Sequence, residues 1–380
     1  MKQSNGLWWK RLVKWMTDYG FQQSKYDQCL FLGHYRGRKT PSKLRGIRYV
    51  PILVDDISTY IDDTKEARRN YKRFIEALNR DYPTKDMGDI EFYLKQAITT
   101  KPDNDDYSIS QEAHIAKMLE KDGMSQCNTA KMPFDNGLMK QILRQGRSAP
   151  EDPKSDPPVD ITEYKSIMGS LGFPAVMSRP DISNTVSVLQ RFQSAPRQSH
   201  KNAARQVQRY LQGTKHLCLR YHGGEVQLSA HVDSSWGDDV DSAESQYGWC
   251  VFLCGGPVAW KSGLQRCTAT SSTEAEYIAL ADLVCELIFL TGILEEMGYP
   301  QRPVGVGEDN SGVSAIAKNE GKYSHRRHIN IKFHLCQKYL DSVYYLRDVS
   351  SSDNTADILT KSQFTRDKFF GLRDRLLSSE

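Results

Sequence analysis

A chain of 380 residues, 39% hydrophobic and 26% charged, can bury a sizeable core and make two or three domains, which excludes an intrinsically disordered tail. Its net charge of +4 is compatible with a polyanionic partner and decides nothing further. Eight cysteines without a C-x-x-C pair point to reduced thiols rather than zinc or a disulfide framework; neither a membrane span nor a secretory leader is expected from the apolar runs or from the opening MKQSNGLWWKRL.

In chain order, LWWKRLVKWMTDYG reads as an amphipathic helix stopped at Gly20, followed by a short strand over 29–32 and a basic, turn-rich GRKTPSKLRG. RYVPILVDDISTYI is β-rich and interrupted by Asp55 and Asp56. Burying two adjacent aspartates in an apolar hairpin demands a neutralising cation, so this pair marks either a metal site or a polar turn. A helix is expected over 65–79. The stretch 143–160, LRQGRSAPEDPKSDPPVD, is rich in proline, serine and charge and reads as a linker between packed units. Helical patterns follow, broken at Pro174, Pro180 and Pro196. Within them Lys201, Arg205 and Arg209 lie four apart, opposite Ala204, Val207 and Leu211. Such a cationic stripe suits phosphate contacts or, equally, a solvated helix face.

The final third is the most informative. VQLSAHVDSS alternates Val226, Leu228, Ala230 and Val232 against Gln227, Ser229, His231 and Asp233, which puts Asp233 at the end of a half-buried strand on its polar side. YGWCVFL and PVAWK are the next two strands, joined through Cys254, Gly255 and Gly256. SSTEAEYIALADLVCELIFLTGILEEM is one long helix, with Ser271 and Glu274, and again Thr273 and Glu276, in capping-box register. Tyr277, Leu280, Ala281, Val284, Ile288, Thr291 and Leu294 give it a core face; Gly298 and Pro300 stop it. With Ser271 as the cap, Glu274 folds back structurally, and Glu276, rotated from it by about 200°, cannot point the same way. PVGVGEDN is a fourth strand delivering Asp309, after which Ser311 caps SGVSAIAKN. VYYLRDV is the fifth, and Asp353 or Asn354 starts a helix carrying Asp357. The order predicts a mixed sheet with helices packed on it.

Asp233, Glu276, Asp309 and Asp357 all fall at strand ends or helix starts, so they can converge on one sheet edge. Four acids in one pocket repel unless cations neutralise them. Hard oxygen donors favour Mg²⁺ or Mn²⁺, and two such ions about 4 Å apart suit phosphodiester hydrolysis. His325, His328 and His334, among Arg326, Arg327 and Lys332, read as phosphate contacts rather than a zinc cluster.

Three groups of blocks carry a family resemblance. LVDDI, YPTKDMGDIEFYL and SISQEAHIAKML are similar to the palm and thumb of copia-type retrotransposon reverse transcriptases. YKSIMGSLGF, RPDI and HKNAARQVQRYLQGT resemble the blocks that join polymerase to nuclease in those polyproteins. LSAHVDSSWGDD, SSTEAEYIAL, EDNSGVSAIAKN, HRRHINIKFH and NTADILTK resemble their ribonuclease H domain. The resemblance implies a mixed α/β chain: an incomplete palm and thumb (1–142), the linker (143–160), a helical connection (161–224) and a ribonuclease H-like five-stranded sheet with flanking helices (225–380). It implies that Asp233, Glu276, Asp309 and Asp357 hold two Mg²⁺ or Mn²⁺ ions. Asp55 and Asp56 would bind catalytic magnesium together with a third aspartate on an earlier strand upstream of Met1, so polymerisation by this chain alone is not expected. The expected substrate is the RNA strand of an RNA–DNA hybrid, contacted by Lys201, Arg205, Arg209, Arg326 and Arg327. Other Pol segments are expected partners, a membrane is not, and the family places such proteins in cytoplasmic virus-like particles or the nucleus. Related nucleases keep a histidine in the loop before the last aspartate; RDVSSSDNTAD has none. The rival expectation is a catalytically inactive, nucleic-acid-binding transposon relic.

Overall fold

The structure, a computed structural model, describes residues 2–34, 40–101, 106–148, 150, 154–310, 312–313, 317 and 327–379. They belong to two bodies, Met1–Asp89 with Glu286–Arg302 and Ile90–Cys285 with Pro303–Glu380.

The first body is α+β. Helix α1 (Lys2–Tyr19) ends where Gly20 takes a φ of +109°, a value that favours glycine. Strands β1 (Gln22–Gln23), β2 (Leu30–Leu32), β3 (Ile47–Leu53) and β4 (Asp56–Ile57) follow one another across an antiparallel sheet, and β5 (Tyr60–Ile61) also pairs with β3. Pro51 lies inside β3 opposite Leu30. The ladder survives its missing amide because the Ile52 amide donates to the Cys29 carbonyl at 2.8 Å and Pro51 accepts from Ser58 at 3.1 Å. Helix α2 (Lys65–Asp81) is capped by the Thr64 hydroxyl, which accepts from the Ala67 amide. It buries Ala67, Asn70, Phe74 and Leu78 at helical spacing, and Phe74 and Leu78 join Leu12, Met16, Phe21 and Phe31 in this body's core.

The second body holds two five-stranded sheets. One runs β15-β9-β8-β7-β6, from β6 (Phe92–Tyr93), β7 (Gln96–Lys101), β8 (Asp106–Ser110), β9 (Leu217–Tyr221) and β15 (Ser378–Ser379). Between β8 and β9 lie α3 (Glu112–Lys121), α4 (Asn136–Gln145), α5 (Ile161–Met177), α6 (Ser183–Gln190) and α7 (Gln198–Thr214). The other sheet runs β12-β11-β10-β13-β14, from β10 (Ser229–Ser235), β11 (Gln246–Leu253), β12 (Gly256–Leu264), β13 (Val304–Glu308) and β14 (Tyr344–Asp348). Its first three strands are antiparallel neighbours, whereas β13 lies parallel to β10, and β14 to β13. A parallel step requires a crossover, and helix α8 (Ser272–Glu296) is part of the one from β12 to β13. Helix α9 (Arg327–Tyr339) lies in the second crossover; α10 (Asp357–Thr360) and α11 (Arg366–Arg373) close the chain. This is the mixed sheet with flanking helices that the strand order predicts.

Three expectations are corrected. Pro174 does not break α5, which continues to Met177; a proline forfeits one amide donor, and buried neighbours such as Leu171 and Ala175 hold the turn. The stretch 143–160 is no free linker. Arg197 donates to the Gly146 and Ser148 carbonyls, and the buried Asp156 carboxylate accepts the Ser199 amide at 2.8 Å and hydroxyl at 2.7 Å. The expected separation of a helical connection from the nuclease sheet also gives way to one core, in which Ile115, Tyr164, Leu171, Tyr210, Cys250, Leu359 and Phe369 belong to the same apolar cluster. The boundary between bodies falls instead after Asp89. Helix α8 is long and apolar enough to cross a bilayer by length and composition, but Ala275, Tyr277, Ala279, Leu280, Leu283, Val284 and Leu287 are buried within the protein.

Candidate metal centre

Strand β10 is the foundation of the site. Asp233, third from its end, is 2% exposed, not on a solvated polar face as the alternation suggests. The cover is the short helix α10. Gly248 on β11 makes that approach feasible, since a Cβ there would stand 2.5 Å from Leu359 Cβ. Asn354 anchors the preceding loop by donating to the Val232 carbonyl at 2.8 Å, and the Thr355 amide donates to His231 Nδ1 at 3.0 Å. Burial and then the charges of Arg347 and Arg375 hold the His231 imidazole down to about 4, so it is neutral at pH 7.

So placed, Asp233, Asp309 and Asp357 offer carboxylate oxygens within 4.8 Å of one another. Glu276 stands outside that set but borders it. It is 6% exposed, and burial, then the charges of Asp233, Glu308 and Asp309, push its carboxyl up to about 10. Glu274 does what its register predicts, with a shift of one residue: its amide donates to the Ser271 hydroxyl, while its carboxylate accepts the Thr270 amide at 2.7 Å rather than that of Ser271. One glutamate caps the helix and the other turns inward.

Sequence reasoning missed four members. Glu308, the residue before Asp309, is 1% exposed; burial, eased by the Asn310 amide and aggravated by Asp309 and Asp233, pushes its carboxyl up to about 8. A second acid directly before Asp309 in EDN was the available signal. Thr360 donates to Asp233 Oδ2, and Lys361 bonds Asp357 Oδ1 while standing 3.9 Å from Asp233 Oδ1. Lys368 bonds Asp357 Oδ2 at 2.7 Å. Thr360 and Lys361 sit three and four residues beyond Asp357, where one helical turn brings them back beside it. Even with these cations, burial first and the neighbouring carboxylates after it push Asp233 up to about 7.

The donor set fits a hard divalent cation. Glu276 Oε2 and Glu308 Oε2 are buried with no hydrogen-bond partner among the described residues, a costly condition that a cation relieves. All the converging donors are carboxylate oxygens, the chemistry of Mg²⁺ or Mn²⁺ rather than zinc.

The remaining expected site residues lie differently. Asp55 and Asp56 are both exposed where β3 turns into β4, beside Val54 at a φ of +55°. Water already solvates them, so the burial cost that argued for a cation does not arise, and no third carboxylate joins them among the described residues. The α7 stripe is not a row of open cations either. Lys201 bonds Glu163 at 2.7 Å, Arg205 donates to the Asp122 carbonyl at 3.1 Å and Arg209 to the Asn128 carbonyl at 2.8 Å. The carbonyls and carboxylate packed beside α7 engage donors that the helix pattern leaves facing solvent. Ser311, His325, Arg326 and the side chains of Arg327 and His328 lie outside the described residues.

Residues 1–136 match the family of reverse transcriptases (RNA-dependent DNA polymerases). A putative transposon Ty5-1 protein of Saccharomyces cerevisiae is 32% identical over 290 residues, 76% of this chain and 86% of that protein. The chain belongs to the copia-type retrotransposon Pol family. The Pol polyprotein of transposon TNT 1-94 from Nicotiana tabacum is 28% identical across 95% of this copia-type chain, which spans 26% of that polyprotein's length. A solved ribonuclease H domain from Mycobacterium tuberculosis, fused to maltose-binding protein, aligns with 39% of this chain and 96% of its own at 17% identity and a TM-score of 0.27.

Proposed function

We propose that this Pol chain is a divalent-metal-dependent ribonuclease H that cleaves the RNA strand of RNA–DNA hybrids and does not polymerise DNA by itself. The observation that carries the reading is the convergence of Asp233, Asp309 and Asp357 within 4.8 Å on a mixed five-stranded sheet, with buried Glu276 at its border. Asp233, Glu276, Asp309 and Asp357 would hold two Mg²⁺ or Mn²⁺ ions, and Glu308 adds a fifth carboxylate. When bound, such ions supply an activated water and a counter-charge for the leaving 3′ oxygen. The residues' own work is positional: β10 and α10 fix two aspartates face to face, Thr360 orients Asp233, and the α8 cap formed by Ser271 and Glu274 fixes the register that turns Glu276 inward. Burial excludes bulk water from the carboxylates, which strengthens their hold on a cation. For the polymerase, the exposure of Asp55 and Asp56 without a third carboxylate among the described residues supports inactivity.

A labelled RNA–DNA hybrid incubated with the full chain and Mg²⁺, against the same reaction with chelator, tests the reading. Cleavage of the RNA strand with Mg²⁺ alone is expected. Hybrid binding with no cleavage at any Mg²⁺ or Mn²⁺ concentration would replace it with the inactive-relic reading.

A further inference from the structure

Asp357 is fully buried, yet neither of its oxygens is vacant: Lys361 holds Oδ1 and Lys368 holds Oδ2 at 2.7 Å. Lys361 also stands 3.9 Å from Asp233 Oδ1, so one ammonium faces two of the three convergent carboxylates. Both lysine side chains are 35% exposed, with a route to solvent for their ammonium groups. The enclosed pair Arg179 and Asp181 has no such freedom; both are fully buried, with Tyr210 donating to the same carboxylate at 2.6 Å.

We infer that Lys361 is a built-in counter-cation that competes with the divalent metal for Asp233 and Asp357 and so sets the metal affinity of the site. This rests on the proposed metal-dependent function. A divalent ion and an ammonium placed between the same carboxylates repel, so loading requires the Lys361 side chain to swing outward along its exposed stem. The short helix α10 stays in place, because Asn354, Thr355 and Leu359 tie it to β10 and β11 independently of the lysine. Lys368 touches Asp357 alone and has the smaller influence. Without metal, Lys361 supplies the positive charge that lets Asp233 and Asp357 remain together.

The experiment is a Mn²⁺ titration of the full chain, following free Mn²⁺ by electron paramagnetic resonance, with a thermal melt of each protein without and with Mn²⁺. Lys361→Met is expected to bind Mn²⁺ about tenfold tighter than the parent, as loss of one positive charge beside the bound ion requires, and to melt lower without metal. Lys368→Met is expected to tighten binding less. Lys361→Arg, which keeps the charge, is expected to bind like the parent. Equal or weaker Mn²⁺ binding by Lys361→Met, with the parent binding normally, overturns the inference and leaves the proposed metal site standing. Tightening by Lys361→Arg as large as by Lys361→Met overturns it too, since charge would not be the cause. No Mn²⁺ binding by any of the four proteins overturns both.

Discussion

Two groups of aspartates in this chain look alike in sequence and differ in physics. Asp55 and Asp56 stand at the tip of an exposed hairpin, where water already solvates them. Asp233 and Asp357 are at most 2% exposed and share their pocket with Glu276 and Glu308. The first pair costs the fold nothing. The second set cannot all ionise together without cations, and burial dominates the upward shifts of Asp233, Glu276 and Glu308. Adjacency of carboxylates is therefore a poor guide to metal chemistry; enclosure is the better one.

The sharpest way to break the comparison is to neutralise the enclosed set. Glu276→Gln should reduce Mg²⁺-dependent hybrid cleavage by roughly three orders of magnitude, the scale expected when a group acting at the transition state is lost, while its melting temperature holds or rises. Single-turnover cleavage and a melt measure both; normal cleavage would remove Glu276 from the site. A buried charge that is fully paired should behave in the opposite sense. Arg179→Met leaves Asp181 enclosed without its cation and should cost about 3–5 kcal/mol, read by urea unfolding, whereas a loss under 1 kcal/mol would mean the pocket admits water.

The pH dependence follows from the same contrast. Asp233, Glu308 and Glu276 titrate at about 7, 8 and 10 when folded, against about 4 in an unfolded chain. Between pH 4 and each folded value the native state binds more protons than the unfolded one, so metal-free stability falls as pH rises, successively through 7, 8 and 10. Melts in chelator from pH 5 to 9 should show that fall, and added Mg²⁺ should reverse it; a flat or rising profile would contradict the enclosed cluster. Glu308→Gln should flatten part of the profile and raise the metal-free melting temperature at pH 9 by about 2–4 °C, equivalent to about 1 kcal/mol. The smallest effect belongs to the hairpin, where Asp55→Asn with Asp56→Asn should change stability by no more than about 0.5 kcal/mol. A larger change would show that the hairpin carboxylates have partners.

Much of this was legible before any coordinates. Strand alternation around Ala230 and Val232, the Ser271 cap and the succession of strands and helices along the final third all come from short-range patterns, and the structure reproduces them within a few residues. The separation of Glu274 from Glu276 was legible because helix rotation over two residues is fixed by backbone geometry, and the resemblance of the frame around Glu276 chose between them. The α7 stripe misled, because periodicity states which side chains share a face but not what packs against it. The stretch 143–160 misled for a related reason: composition registers proline and charge, not the Arg197 and Asp156 bonds that tie it down.

By itself, then, the sequence determined what depends on neighbours along the chain: the elements, their caps, the faces of helices and strands, and the blocks that mark the family. Tertiary structure decided what depends on enclosure. It buried Asp233 under α10, enclosed Glu308, set Lys361 between two aspartates and left Asp55 and Asp56 in water. The reason is electrostatic: a carboxylate's ionisation and affinity for a cation follow the dielectric and charges around it, and for Asp233 those come in large part from Asp357, Thr360 and Lys361, more than a hundred positions away.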